Sequence, residues 1–302
     1  MGGIVFSETV QLIFFMIIGM FLSKRGKYTA SVNLFIGYLL TNVALPAAII
    51  NSFQVEKTPE LLRMIRWTMV FSLVMLLLTL LFGFLISKIL GKKGVLRRLW
   101  INCLLFSNIL FIGIPIVDRL YGEEGLIVLV IYNTFTSLFL FTIGIMIFSN
   151  SREFKLKSLY TTPPIIASII GYLLFKFGIV LPETINIFNS TLGGLTAPLA
   201  MIINGCLFVQ NDFKKIIFNK DNLQFTIARV IGVPLFFILI LQFFVKDPII
   251  LGVLTLVSAM PTGSLNAILA EEYAGEGAKV SQYIALTTIV SMVTLPMVMS
   301  FV

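Results

Sequence analysis

Ten stretches of this chain are each apolar over enough residues to cross a lipid bilayer, and that feature leaves few folds open. The runs fall at about 4–23, 33–54, 67–90, 99–120, 125–149, 161–181, 188–210, 223–245, 249–271 and 280–301. A crossing takes about 20 apolar residues, so the runs use most of the 302 available. With 58% of residues hydrophobic and 12% charged, the chain carries more apolar surface than a soluble interior of this size can hide. In lipid the backbone must satisfy its own polar groups, which makes each span a helix. The expected fold class is an all-α integral membrane protein with ten transmembrane helices. A soluble enzyme, a nucleic-acid partner and a disordered chain are excluded, and no connection is long enough for a soluble domain.

The charge balance sets topology. Net charge is +8, which in a membrane protein marks the cytoplasmic loops. The odd-numbered connections hold fifteen Lys and Arg, among them Lys24, Lys92, Lys93, Arg97 and Lys279; the even ones hold six. Odd loops are therefore expected in the cytoplasm, with both termini outside a cell (cytoplasmic) membrane. Lys24-Arg25-Gly26-Lys27 follows the first run, so that run reads as a retained helix and not a cleaved signal. The chain has no histidine, which removes His-ligated metals and imidazole chemistry. Cys103 and Cys206 lie within apolar runs and read as free buried thiols. No metal and no cofactor is expected beyond a coupling H+ or Na+.

Prolines expose an internal repeat. Pro46 and Pro198 fall in spans 2 and 7, and Pro115 and Pro261 in spans 4 and 9. The local text echoes: Pro46-Ala-Ala-Ile-Ile-Asn51 against Pro198-Leu-Ala-Met-Ile-Ile-Asn204, and Tyr121-Gly-Glu-Glu-Gly125 against Tyr273-Ala-Gly-Glu-Gly277. Five spans per half is odd, so residues 1–150 and 151–302 form two five-helix repeats inserted upside down to each other. That is a signature of secondary transporters. Pro234 and Pro296 have no counterparts and read as tolerated kinks.

Helix breaks in lipid survive only where protein or a watery cavity surrounds them. Two segments carry the residues for a break: Ser107-Asn108 to Gly113-Ile-Pro115 in span 4, and Ser258-Ala-Met-Pro261-Thr262-Gly263-Ser264-Leu-Asn266 in span 9. Each break exposes a half-helix N-terminus with partial positive charge, suited to a carboxylate. The candidate substrate-binding residues are Asn108, Gly113, Pro115, Pro261, Thr262, Gly263, Ser264 and Asn266, with Asn51 and Asn204 as a symmetric pair further off. The competing reading is close helix packing glued by small and polar side chains. It serves Ser107, Gly113 and Ser258 equally well, and serves Asn42 and Asn133 slightly better than a site does. Tyr132 is either an interior wall or packing. Glu271 is either an ion-coupling acid or a solvated helix-end acid. Arg229, near the end of span 8, reads as a snorkelling side chain. This reading requires interrupted helices with hydrated space beside them. The chain has no P-loop and no set of groups for proteolysis in the membrane, so it is not expected to be an enzyme.

In order and position, these motifs resemble those of the auxin efflux carrier family, which includes plant auxin exporters and bacterial malate and malonate permeases. The residues that carry the resemblance are Asn42-Val-Ala-Leu-Pro46; Ser107-Asn108 through Gly113 and Pro115; Met260-Pro261-Thr262-Gly263-Ser264-Leu-Asn266 with Ala270-Glu271-Glu272-Tyr273; and Ser291 through Leu295-Pro296. The resemblance covers essentially the whole chain. It implies a fold related to bile-acid symporters and sodium/proton antiporters. Helices 1, 2, 6 and 7 would form a scaffold and the other six a transport domain, with helices 4 and 9 crossing at their prolines. It also implies that Asn108 is the central asparagine of the crossing. Span 3 lacks the charged residues that support the site in the plant carriers, being apolar apart from Ser72, Thr79, Ser87 and Lys88, so an indole acid is not the expected substrate. The expected function is secondary active transport of a small organic anion, a mono- or dicarboxylate, by alternating access. A sodium-coupled symporter of a larger amphipathic anion, or an anion channel, is the alternative. The expected partners are that anion, membrane lipid and a second copy in a homodimer.

Overall fold

The computed structural model of the protein describes residues 2–26, 29–151, 162–209 and 216–301. Among them every regular element is a helix. The first half holds α1 (Gly2–Lys24), α2 (Ala30–Leu39), α3 (Leu45–Ser52), α4 (Pro59–Ile89), α5 (Gly94–Leu105), α6 (Ile109–Phe139) and α7 (Ile145–Ser149). The second holds α8 (Pro163–Phe177), α9 (Glu183–Gly194), α10 (Thr196–Val209), α11 (Lys220–Ile227), α12 (Val233–Phe244), α13 (Pro248–Ala259), α14 (Leu265–Ala274) and α15 (Gly277–Met299). Seven continuous helical stretches among the described residues are long and apolar enough to cross a membrane, and α8 and α13 are shorter apolar helices. The expected boundary between halves falls at Asn150, which ends α7 in the left-handed region (φ 54°); residues 152–161 lie outside the described residues.

The apolar runs at 99–120 and 249–271 are each split, into α5 with the start of α6 and into α13 with α14. The run at 125–149 continues from α6 without a gap, although Gly122 (φ 57°, ψ −150°) departs from helical geometry between them. Only glycine takes such a backbone without strain.

Burial runs inside out compared with a soluble protein. On α4 the exposed face carries Trp67, Val70, Val74, Leu77, Leu81 and Phe84, spaced by three or four residues. Thr68, Ser72, Thr79 and Ser87 face inward and are buried. Ser72 and Thr79 donate to the carbonyls of Thr68 (2.6 Å) and Met75 (2.7 Å), one turn back. An apolar outer stripe with hydroxyls turned inward suits lipid as solvent.

Three π turns interrupt otherwise α-helical rods. They are Leu40–Ala44 between α2 and α3, Leu140–Gly144 between α6 and α7, and Ala228–Gly232 between α11 and α12. Two stand just before a proline, Pro46 and Pro234. A proline ring crowds the carbonyl four residues back and offers no N–H, and widening the preceding turn relieves that. Pro198 sits instead in the first turn of α10, where its missing N–H is not needed. Pro46 and Pro198, alike in sequence, therefore do different local work.

Two contacts organise the bundle. Helices α1 and α10 touch backbone to backbone: a Cβ on Gly19 would collide with the Ile202 carbonyl, and one on Gly205 with the Met16 carbonyl. Cys206 adds an Sγ–H donated to the Gly19 carbonyl at 3.1 Å. The second contact is a polar clamp around Asp221, at the start of α11. Its carboxylate accepts from Lys92, from Trp100 Nε1 (3.0 Å), from Lys279 (3.0 Å) and from the Tyr283 hydroxyl. Lys279 also donates to Asn222 Oδ1 at 2.7 Å, and the Phe225 and Tyr283 rings stack with centroids 4.1 Å apart. The clamp ties together the starts of α5, α11 and α15. Lys92 and Lys279, counted above as loop charges, are thus held structural groups.

Candidate functional site

The two interrupted helices meet. Between α5 and α6 the chain is extended at Phe106 (φ −108°, ψ 105°); between α13 and α14 it is extended at Met260 (φ −66°, ψ 150°). Ser107 and Thr262 form an isolated antiparallel bridge there. The Asn108 N–H donates to the Pro261 carbonyl at 2.8 Å, and the Gly263 N–H donates to the Phe106 carbonyl at 2.9 Å. Each break therefore supplies part of what the other lost, which resolves the cost of open backbone at this depth.

Side chains from the second break reinforce the pairing. Asn266 is fully buried, and its Nδ2 donates to the Phe106 carbonyl (2.9 Å) and the Gly263 carbonyl (3.0 Å). Thr262 donates from Oγ1 to the Cys103 carbonyl at 3.1 Å, while its N–H donates to Thr287 Oγ1 at 3.3 Å. Gly263 provides room: a Cβ there would lie 2.8 Å from the Ser107 carbonyl oxygen and 3.3 Å from that of Phe106. Its φ lies outside the left-handed region, so close approach and not backbone freedom requires glycine here. Gly113 plays a similar part, its Cβ position lying 2.8 Å from Met260 Cε, and so lets α6 rest on the second break.

The first break falls at the start of the segment expected to hold it, Ser107 to Pro115. It lies at residues 106–108, and Pro115 sits inside α6, seven residues further on. Pro115 does not hold that break open; pairing with the second break does. Pro261, in contrast, lies within its own break.

Arg229 corrects a second expectation. It does not snorkel: at 1% exposure it is the one charged side chain in the buried set of described residues. It sits on the third π turn, and its Nη2 donates to Ser107 Oγ at 2.6 Å, inside the first break. Among the described residues no carboxylate pairs with it, and the ionisable groups it feels are Tyr132 and Cys103. An unpaired cation in a membrane interior costs at least about 2.5–3.5 kcal/mol. A neighbouring π turn helps frame the same break from the other side. There the Gly144 carbonyl accepts from Asn102 Nδ2 at 2.9 Å, and a Cβ on Gly144 would lie 2.8 Å from the Phe106 ring.

The buried polar atoms fall into groups that build the crossing and groups left over. Thr262 and the amide nitrogen of Asn266 are engaged. Asn108 Nδ2, Arg229 Nε and Ser264 Oγ are buried without partners. Asn108 leaves the N-terminus of α6 without a side-chain cap. The start of α14 is better satisfied, since the Asn266 and Ala267 N–H groups donate to the Gly263 and Ser264 carbonyls at 3.1 and 3.2 Å. The spare donors thus concentrate at the first break.

Other expected residues lie apart from this centre. Asn51 is on the last turn of α3 and Asn204 on α10; neither side chain bonds to the crossing, and Asn204 Nδ2 is buried without a partner. Glu271 is exposed and accepts the Gly277 N–H at 2.9 Å, the position of an acid satisfying the start of α15. Space beside the crossing is small. A cavity of about 10 Å3, room for roughly one water, is lined by residues of α1, α6, α10 and α15, among them Thr9, Ile112, Met201 and Thr288. A larger one of about 350 Å3 lies elsewhere, lined by Leu62, Ile65, Arg66, Met69 and Tyr172 of α4 and α8. Neither of these cavities is the hydrated vestibule expected beside the breaks.

Interrupted apolar helices crossed at mid-length, with an unpaired cation against the crossing, define a polytopic membrane protein with an internal polar centre of the kind transporters use. The chain belongs to the Membrane transport protein family, the match running over residues 4–299. It is similar to an uncharacterized transporter of Methanothermobacter thermautotrophicus, 26% identical over an aligned stretch of 196 residues, with 62% of this chain and 62% of that protein covered. The chain therefore spans less than two thirds of that relative's length. It is a multi-pass membrane protein of that family.

Proposed function

We propose that the protein is a secondary active transporter of small organic anions, mono- or dicarboxylates, working by alternating access across the cytoplasmic membrane with both termini outside. In this reading ten spans form two inverted halves, 1–150 and 151–302. The scaffold comprises α1, α2–α3, α8 and α9–α10; the remaining elements move as a transport domain. The contact of α1 with α10 supports a rigid scaffold, and the Asp221 clamp supports a transport domain held as one piece. The small cavity between α1 and α10 on one side and α6 and α15 on the other marks the boundary that must open. The malate and malonate permeases of the auxin efflux carrier family make short dicarboxylates, with monocarboxylates, the first probes.

One observation carries the proposal: two helix breaks far apart in sequence pair reciprocally at Ser107 and Thr262, leaving buried donors beside a half-helix N-terminus. A sodium-coupled site at the same place is disfavoured, because the Arg229 guanidinium would repel the cation. Purified protein in proteoliposomes is to be tested with labelled acetate, lactate, malonate and malate under imposed proton and sodium gradients. Saturable uptake of at least one probe, lost in Asn108→Ala at equal membrane insertion, is the expected result. Uptake unaffected by Asn108→Ala refutes this site, and currents without saturation point to a channel.

A further inference from the structure

We infer that Arg229 is the counter-charge for the transported anion, and that the site is built for a single negative charge. The inference rests on the crossing being an anion site, and narrows the substrate class within that reading. Arg229 is buried, and one of its terminal nitrogens is anchored on Ser107 Oγ at 2.6 Å. That anchor fixes the guanidinium against the first break, next to Asn108. Its Nε and the Asn108 Nδ2 are both buried donors without partners, and the α6 N-terminus beside them has no side-chain cap. Two buried donors without acceptors thus belong to residues of the first break and the side chain anchored on it, beside a helix N-terminus with no side-chain cap.

Charge counting then limits the ligand. Cys103 and Tyr132, the ionisable neighbours of Arg229, are a thiol and a phenol, groups that are ordinarily neutral near pH 7. The local charge is therefore that of one guanidinium, supplemented by about half a charge from the helix end. One carboxylate neutralises it. Among the described residues no other cation is hydrogen-bonded to either break, and Lys92 and Lys279 are committed to Asp221, so a second carboxylate would lack the partner that the first has. A monocarboxylate fits, as does a diacid that carries one proton.

The test uses the full chain in proteoliposomes with matched sets of labelled probes, acetate, lactate and benzoate against malonate, malate and succinate. At a pH where the diacids are doubly ionised, the monoanions should be taken up about tenfold or more faster. Diacid uptake should rise as pH falls into the range where one of their carboxyls is protonated. Arg229→Gln keeps a donor near Ser107 but removes the charge, and should cost about thirtyfold or more in monoanion uptake. Its substrate-free thermal midpoint in detergent should be equal to or above that of the unmodified protein, because an uncompensated charge has been removed. Arg229→Lys should keep a measurable share of uptake. Preference for the dianions, undiminished uptake by Arg229→Gln, or a lowered midpoint for that variant each overturns the inference while leaving the transport reading intact. If the unmodified protein takes up none of the six probes, the transport reading itself falls.

Discussion

Replacing Gly263 by alanine asks whether the crossing is as close as the structure makes it. The added Cβ would sit 2.8 Å from the Ser107 carbonyl oxygen and 3.1 Å from its carbon. Both are backbone atoms, so no rotamer change relieves the clash. Reaching an ordinary contact of about 3.4 Å moves the two breaks apart by roughly 0.6 Å. The same displacement stretches the reciprocal bonds, now 2.8 Å from Asn108 to Pro261 and 2.9 Å from Gly263 to Phe106, to the edge of hydrogen-bonding range. Overpacking of this kind costs about 1–3 kcal/mol, and each weakened buried bond adds about 1 kcal/mol. The expected penalty is about 3–5 kcal/mol, read as a lowered thermal midpoint in detergent and near-complete loss of anion uptake. Gly37→Ala is the matched control, because nothing lies within 4 Å of its Cβ position. If Gly263→Ala unfolds and transports like Gly37→Ala, the breaks are not in contact and the proposed site dissolves with them.

Other perturbations probe the supports. Asp221→Asn leaves Lys92 and Lys279, whose side chains are 9% and 20% exposed, facing each other without an anion; it should destabilise by about 2–4 kcal/mol. Adding Lys92→Met should recover part of that, and a clamp without energetic weight would show neither effect. Gly205→Val drives a side chain into the Met16 carbonyl and should sharply reduce the yield of folded protein, where a wild-type thermal midpoint would contradict the α1–α10 contact. Glu271→Gln retains an acceptor for the Gly277 N–H, so stability should change by less than about 1 kcal/mol and the response of uptake to a proton gradient should persist. Loss of that response would instead place Glu271 in ion coupling.

The helices were legible because lipid as solvent leaves a compositional trace that a few residues cannot hide. The second break was legible for a similar reason: Pro261-Thr262-Gly263-Ser264 gathers a proline and a glycine where an uninterrupted helix would carry neither. The first break is bracketed more widely in the sequence, over Ser107 to Pro115, than in the structure, where it occupies only 106–108. Phe106-Ser107-Asn108 contains no residue that stops a helix locally. What interrupts it is pairing with residues about 155 positions away, a tertiary cause that Ser107-Asn108 marks only as residues favoured at a helix start. Pro115 shows the converse, a helix-breaking residue that its surroundings absorb within α6.

Arg229 was misread for a further reason. Counted along an ideal helix near the end of an apolar run, an arginine reaches for the headgroups. Here a π turn just before Pro234 inserts about one extra residue, which turns the following helix by roughly 100° relative to an α-helical count. A periodicity argument assumes that count. The buried arginine sits on that widened turn, which ends two residues before Pro234. An expensive charge held without a partner, at a turn that departs from the regular helix, against a break that is itself costly, places three departures from low energy at one point. Stability alone would have removed each of them. Their coincidence at Ser107 is what the proposed anion site would require, and it is the reason Arg229→Gln should make the protein more robust and less active at once.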